Sequence, residues 1–344
     1  MIARWAAAIG LGLMTMEAAV AEPKTTLVSF DDFDGWADDD HAAALSTFVN
    51  TCGDLKDPEW GPICEVAKST TDARAFFEAF FQPVLIEDGA DMMFTGYFEP
   101  ELRGSRSQGG PYQYPIYRLP PDHVAGQTYL TRQEIEDGRP LAGQGLELAW
   151  LADPVDLFFL QVQGSGRVKL PDGSGMRVGY GGKNGHEYSS IGKELIKRGI
   201  YEPHQVSAQV IRNWVRNNPN DGKELLWVNK SYVFFREVSE VPADQGPLGA
   251  MNRSITTGRS IAVDPAFTAL GTPVWIEKDG RDPMRRLMMA QDTGSAIKGA
   301  QRADIFYGTG DQAGLDAGRI RDGGRMIRLL PIQMAYAMFP EIIK

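Results

Sequence analysis

From Met92 onward the chain is written in short apolar runs of period two, most of them cut off by glycine or proline. Met92-Met-Phe-Thr-Gly-Tyr97-Phe-Glu99-Pro-Glu101 reads as a strand entering a turn. Pro115-Ile-Tyr-Arg-Leu-Pro120 reads as a short strand held between prolines. Leu157-Phe-Phe-Leu-Gln161-Val-Gln163-Gly-Ser165-Gly166 reads as an apolar strand running into polar groups. Met176 to Tyr188 reads as a strand followed by an open polar loop. Further strands are expected at Tyr232–Val238, Ile261–Val263, Pro273–Ile276, Leu287–Met289 and Met326–Leu330. With 38 glycines and 21 prolines in 344 residues, such a chain is constrained to many short strands joined by tight turns.

Helical spacing appears elsewhere. Asp38 to Asp40 can cap a helix over His41–Thr51, and Thr71 and Asp72 start a second, with a Phe76, Phe77, Phe80, Phe81 stripe ended by Pro83. Two more are expected over Ser190–Arg198 and Gln205–Asn217, the latter stopped by Pro219. Asp311 is read as the cap of a helix over Gln312–Gly318. A length of 344 suggests two domains at roughly 150 residues each. Asp244–Gly249 looks like a linker.

The N-terminus reads as an export signal. Arg4 supplies a positive n-region, Ala6 to Met14 an apolar h-region, and Ala19-Val20-Ala21 a cleavage site before Glu22. The apolar run is shorter than the ~20 residues that a membrane span needs. In an oxidising compartment Cys52 and Cys64, twelve positions apart, read as one local disulfide, the alternative being two free thiols. A net charge of −10 without a basic block argues against an electrostatic nucleic-acid binder.

The chemistry concentrates in Gln291-Asp-Thr-Gly-Ser-Ala-Ile-Lys-Gly-Ala-Gln-Arg-Ala-Asp304-Ile-Phe-Tyr-Gly-Thr-Gly310. Asp292 ends the apolar run Leu287–Ala290, and Asp304 lies between Ala303 and Ile305. Burial there would raise a carboxyl pKa and keep the acid protonated near neutral pH. Both residues can also be read as turn aspartates. As a strand, the segment puts Asp304 and Phe306 on one side and Ala303 and Ile305 on the other.

Several chemistries fail on pattern. The four histidines are scattered without metal-site spacing, and neither metal nor cofactor is expected. Gly181-Gly-Lys183 lacks the Ser or Thr and the first glycine of a phosphate loop, and no nucleophile elbow is present. Asp292-Thr-Gly294 resembles an aspartic protease, but such an enzyme needs a second matching loop, and the chain has one.

The ordered segments Phe94-Thr-Gly-Tyr-Phe-Glu-Pro-Glu101, Pro115-Ile-Tyr117, Leu160-Gln-Val-Gln-Gly-Ser-Gly-Arg167, Val178-Gly-Tyr-Gly-Gly-Lys-Asn-Gly185 and Tyr232-Val-Phe-Phe-Arg236 continue with Gly246-Pro-Leu-Gly-Ala250, Thr272-Pro-Val-Trp275, Asp292-Thr-Gly and Ala303-Asp-Ile-Phe306. Together they closely resemble the lytic murein transglycosylase A family over roughly residues 85 to 332. The resemblance implies a mainly β fold with some α. A double-psi β-barrel domain (22–113 and 242–344, after a signal peptide at 1–21) would carry an inserted second β domain at 114–241, with a substrate groove between them. It implies cleavage of the MurNAc-β-1,4-GlcNAc bond of peptidoglycan to a 1,6-anhydromuramyl end, with a single catalytic aspartate that maps onto Asp304.

The residue chemistry is compatible with that reaction. When the nucleophile is the substrate's own hydroxyl, one carboxyl can act as acid and then as base, whereas most glycosidases need two. Asp292 is either an electrostatic support for Asp304 or a turn residue. For the groove the sequence offers Tyr97, Glu99, Gln161, Gln163, Ser165, Tyr180, Lys183, Asn184 and Tyr188, because sugars need polar donors and acceptors beside aromatic faces. Glu99 is the alternative acid. Expected partners are peptidoglycan strands and cell-wall synthesis or division proteins, with the enzyme itself a monomer. Family members are typically lipoproteins, whereas no cysteine follows this signal, so a soluble periplasmic enzyme is expected. A peptidoglycan-binding scaffold without activity is the alternative of a different class.

Overall fold

The computed structural model describes residues 23–340. The expected export signal and its cleavage site at Glu22 lie outside the described residues. Among those that are described, no helix is long and apolar enough to cross a membrane.

The chain begins with strand β1 (Lys24–Leu27) and helices α1 (His41–Thr51), α2 (Trp60–Ala67) and α3 (Ala73–Phe80), then strands β2 (Phe81–Glu87) and β3 (Met93–Glu99). An excursion follows: β4 (Glu101–Ser105), β5 (Tyr114–Tyr117), α4 (Arg132–Gly138), β6 (Glu147–Leu151), α5 (Pro154–Gln163), β7 (Gly166–Lys169), β8 (Gly175–Lys183), α6 (Ile191–Lys197), α7 (Ala208–Asn217), α8 (Pro219–Val228) and β9 (Val233–Val238). The chain then returns through β10 (Ser260–Val263), β11 (Pro273–Lys278), β12 (Met284–Thr293), β13 (Arg302–Thr309), α9 (Asp311–Ala317), β14 (Arg321–Asp322), β15 (Gly324–Pro331) and α10 (Ile332–Ala337).

Two sheets result. Nine strands drawn from both ends of the chain run in the order β1-β2-β15-β11-β12-β10-β13-β3-β14, and β4 to β9 form a six-stranded sheet. This is the mainly β architecture with an inserted second β unit that the sequence led us to expect. The second sheet starts earlier than expected, because β4 already pairs with β6 and β7. We therefore propose that the first domain boundary lies at Pro100 rather than at 113/114.

Aspartate capping explains where the helices begin. Asp40 Oδ1 accepts from the Ala43 amide and Asp72 Oδ1 from the Ala75 amide, as their spacing predicts. The faces of α1, α2 and α3 bury Phe48, Trp60, Phe76 and Phe77 against Trp275 and Leu287 of the large sheet. Cys52 and Cys64 tie α1 to α2 through a disulfide, with their Cα atoms 5.6 Å apart.

Four expectations are corrected. The run from Leu157 is helix α5, not a strand; it is buried nearly all round, which erases its periodicity, and Asp153 with Pro154 at the first helical turn was the signal to follow. Pro219 does not merely stop α7; it opens α8, where a missing N–H costs nothing. Pro83 lies inside β2, three residues beyond the end of α3. Asp311 is the first residue of α9 rather than its cap; Gly310 holds the cap position, without a side-chain hydrogen bond.

Glu99 marks the crossing between the sheets. As the last residue of β3 it has no exposed surface, and it pairs with Arg167 of β7 at 2.8 Å and Arg177 of β8 at 2.9 Å. The same guanidiniums donate to the carbonyls of Pro242, Ala243 and Gln245, where the chain returns. One buried carboxylate thus clamps the outgoing and returning connections together. Its two guanidinium partners argue against the role of alternative acid, and as a fully enclosed side chain it does not line a groove.

Candidate functional site

Three neighbouring strand pairings assemble the site. Ala262 of β10 stands opposite Asp292 on its parallel neighbour β12 and opposite Asp304 on its antiparallel neighbour β13. Asp304 in turn stands opposite Thr95 of β3. Residues paired across strands share a face, so Asp292, Ala262, Asp304 and Thr95 form one row across the sheet. The two aspartates are two strand spacings apart, roughly 10 Å between backbones. Ala262 between them contributes only a methyl group.

Strand β3 serves both carboxyls. Thr95 Oγ1 donates to Asp304 Oδ1 at 2.7 Å, and two residues on, the Tyr97 hydroxyl donates to Asp292 Oδ2 at 3.0 Å. The Tyr97 ring packs on the buried Phe306 of β13, ring centroids 5.3 Å apart. Behind Thr95, Arg302 Nη2 donates to the same hydroxyl at 2.7 Å while Nη1 holds the carbonyls of Met93 and Ala303. The guanidinium occupies a Thr95 lone pair, which leaves the hydroxyl proton for Asp304.

The two carboxyls differ in what holds them. Asp292 Oδ1 also accepts from the amides of Ala250 and Thr293, both at 2.9 Å, so three donors reach this group. The Gly246-Pro-Leu-Gly-Ala250 segment is there to make that contact. A Cβ on Gly249 would lie 2.6 Å from the Gln291 carbonyl oxygen and 3.4 Å from Asp292 Cγ, so only glycine lets this backbone approach. Asp304 receives Thr95 alone; among the described residues no other hydrogen bond reaches it.

Burial raises both above the ordinary carboxyl range. Asp304 is pushed to about 6 by desolvation, against the Thr95 hydrogen bond and the Arg302 charge, which favour the anion. Asp292 is also pushed to about 6 by desolvation; its backbone and Tyr97 donors pull the other way, and the Asp304 charge adds to the rise. An acid near 6 that keeps one oxygen free is poised to give up a proton and take one back.

The other sequence-selected residues are not gathered around this pair. Tyr97 alone of them touches it. Gln161 is buried, with Oε1 accepting from Arg132. Asn184 is wholly enclosed; its amide donates to Leu130 and Lys230 carbonyls, and its oxygen accepts from the Tyr232 amide. Both were expected at a groove and instead make contacts inside the fold: all of the Asn184 bonds go to backbone, whereas Gln161 has its oxygen on Arg132 and its buried Nε2 without a partner. Gln163 accepts from the Phe98 amide, which fixes the end of α5 against β3. Ser165 is buried, Tyr188 half-buried, and Tyr180 and Lys183 remain exposed on β8.

Sequence reading missed Thr95, Arg302 and Ala262. Thr95 and Arg302 lie within the motifs that were read, and only the strand register shows which of their neighbours face the carboxyls.

Comparison with known proteins gives the family of the chain. Residues 93–236 match the MltA specific insert domain, and residues 259–330 match the 3D domain. The chain is 35% identical to the membrane-bound lytic murein transglycosylase A of Vibrio cholerae serotype O1 over 265 residues, covering 73% of this chain and 70% of that protein. It is 38% identical to that of Escherichia coli K12 over 251 residues, covering 70% of this chain and 67% of that protein. The crystal structure of a membrane-bound lytic murein transglycosylase from Agrobacterium tumefaciens superposes with a TM-score of 0.82 at 33% identity, over 91% of this chain and 99% of that one. Escherichia coli MltA with bound chitohexaose superposes with a TM-score of 0.73 at 31% identity, over 89% of this chain and 94% of that one. With identities above 30% over more than two thirds of its length, the chain is an enzyme of the lytic murein transglycosylase A family.

Proposed function

We propose that the protein cleaves the MurNAc-β-1,4-GlcNAc bond of peptidoglycan without water, leaving a 1,6-anhydromuramyl end, with Asp304 as acid and then base. The observation that carries this reading is the inequality of the two carboxyls. Asp292 is filled by three donors, whereas Asp304 has one oxygen fixed by Thr95 and the other unclaimed. Protonated Asp304 gives its proton to the glycosidic oxygen as the muramyl C1–O bond breaks. The resulting carboxylate accepts the proton of the C6 hydroxyl as O6 closes on C1. Asp304 is then protonated again, and no water is consumed.

In this reading Asp292 is a support. Its charge, when present, disfavours ionisation of Asp304, and its Tyr97 contact fixes the aromatic face beside the reacting sugar. The chitohexaose bound by the Escherichia coli relative supports a glycan chain as the ligand. Tyr180, Lys183, Tyr188, Gln163 and Ser165 remain proposed groove residues. Export to the periplasm also stands as a proposal.

A second reading, hydrolysis with inversion in which Asp292 would activate a water across the sugar, draws on the second carboxyl in the same row, two strands away. Mass analysis of muropeptides released from purified sacculi separates the two. Products lighter by one water, with no new reducing ends, support the transglycosylase. Reducing ends would overturn it in favour of the hydrolase, and no release at all would leave only a binding protein.

A further inference from the structure

A cavity of about 560 Å³ lies wholly within the six-stranded half of the molecule, and none of its lining residues belongs to β3, β10, β12 or β13. Its size is that of a small-ligand site. Tyr114, Tyr117, Trp150 and Tyr232 give it aromatic walls. Six charged side chains also line it, and five are already engaged within the protein. Asp153 holds Arg216 and the α5 amide of Val155; Glu136 accepts from Arg132 and Trp227; Lys223 pairs with Asp137; and Glu147 accepts from the Gly143 amide. The sixth, Arg139, is exposed, and its guanidinium has no hydrogen bond or ion pair among the described residues.

Arg139 is also strained. It follows α4 in the left-handed conformation, φ 49° and ψ 39°, where glycine is the residue that fits. Only one other described non-glycine residue, Asn252, has positive φ. The Cβ of an arginine crowds the backbone there, so the conformation is unfavourable for it. A broken local rule without a local gain is a mark of a functional position.

We propose that this cavity is an accessory site for the peptide stems of murein, with Arg139 taking a stem carboxylate and the aromatic walls taking its short aliphatic side chains. The assignment rests on murein being the substrate. Within murein the choice follows from charge, because the N-acetylated sugar backbone is neutral whereas the stems carry carboxylates. The half-exposed Glu147 lines the same cavity, with one oxygen on Gly143 and the other unclaimed, which suits the amine that stems also carry. The glycan would then be held at the aspartates and its peptides in the inserted unit.

The test uses the whole protein and stem peptide freed from sacculi by an amidase, with titration calorimetry as the readout. The peptide should bind the parent protein, and esterifying its carboxyls should weaken binding at least tenfold. Arg139→Gly should weaken binding at least tenfold and at the same time raise the melting temperature, because glycine relieves the left-handed backbone. Arg139→Lys should fall between the two. Equal binding by the parent and Arg139→Gly, or equal binding of free and esterified peptide, would overturn the assignment. Sacculi that are cleaved to anhydro products by a protein that does not bind the peptide would overturn it while leaving the proposed reaction standing.

Discussion

Asp292 and Asp304 stand opposite the same residue, Ala262, on strands that flank it in opposite directions. Twelve residues separate them in sequence, yet the sheet sets them two strand spacings apart on one face. The intervening turn is pinned from outside: Asp264 accepts from the Gly299 amide and Asp88 from the Ala300 amide. The spacing is too wide for one proton to be shared directly, which sets the site apart from an aspartic protease despite the Asp-Thr-Gly sequence. It is narrow enough for each charge to matter to the other.

Replacing Asp304 by Asn keeps the shape and removes the titratable proton. Release of anhydromuropeptides should fall by at least the ~10²–10⁴-fold typical of acid–base catalysis, with binding to sacculi retained. Asp292→Asn should cost less, because that carboxyl acts through its neighbour. Near-normal release by a folded Asp304→Asn protein would move the acid elsewhere, with Asp292 the next candidate.

Much of this was legible before any coordinates. The apolar run Leu287–Ala290 before Asp292, and Ala303 and Ile305 around Asp304, allowed two strands carrying buried acids, with turn aspartates as the other reading. What single-strand periodicity lacks is register. It cannot say that Thr95 faces Asp304 or that an alanine from a third strand lies between the acids, since both depend on pairings far apart in the chain. Polar residues near glycines misled the reading for a related reason. Asn184 and Gln161 look like ligand groups in sequence, but a side-chain amide serves equally well to close a loop, and the partners that decide between the two, Leu130, Lys230 and Arg132, lie 29 or more residues away.

Glu99→Gln tests the clamp between the sheets. Removing the charge leaves Arg167 and Arg177 partly buried without their counter-ion, and breaking such a pair costs about 3–5 kcal/mol. Urea unfolding should show that loss. Activity per folded molecule should stay well above that of Asp304→Asn. A stable Glu99→Gln protein with no activity would instead return Glu99 to the chemistry.

The Cys52–Cys64 bridge closes a short loop between α1 and α2, and the chain-entropy model assigns it ~3 kcal/mol. The native, unreduced protein should show no thiol reactive to Ellman's reagent even when denatured. Reduction should lower the unfolding midpoint without changing the product formed. Two titratable thiols in the denatured, unreduced protein would refute the bridge.

The last prediction joins stability to activity through pH. In an unfolded chain an aspartate titrates near 3.9, whereas Asp292 and Asp304 are held at about 6 in the fold. Between those values the folded state binds more protons than the unfolded one, so stability must fall as pH rises. The contribution is complete below about pH 4 and gone above about pH 6, and a shift of this size corresponds to at most about 3 kcal/mol per carboxyl. Unfolding free energy measured from pH 4 to 7 should therefore decline, and Asp304→Asn should flatten the decline. Parallel curves for parent and variant would show that Asp304 is not shifted. Catalysis should follow the same protonation, dropping about tenfold per pH unit once the acid form is depleted. Thr95→Val separates the two carboxyls. Losing the hydroxyl removes a donor that favours the Asp304 anion, so the alkaline limb of the activity profile should move to higher pH. Asp292 keeps its own three donors in that variant, so a limb that stays in place would assign the controlling titration to Asp292 instead.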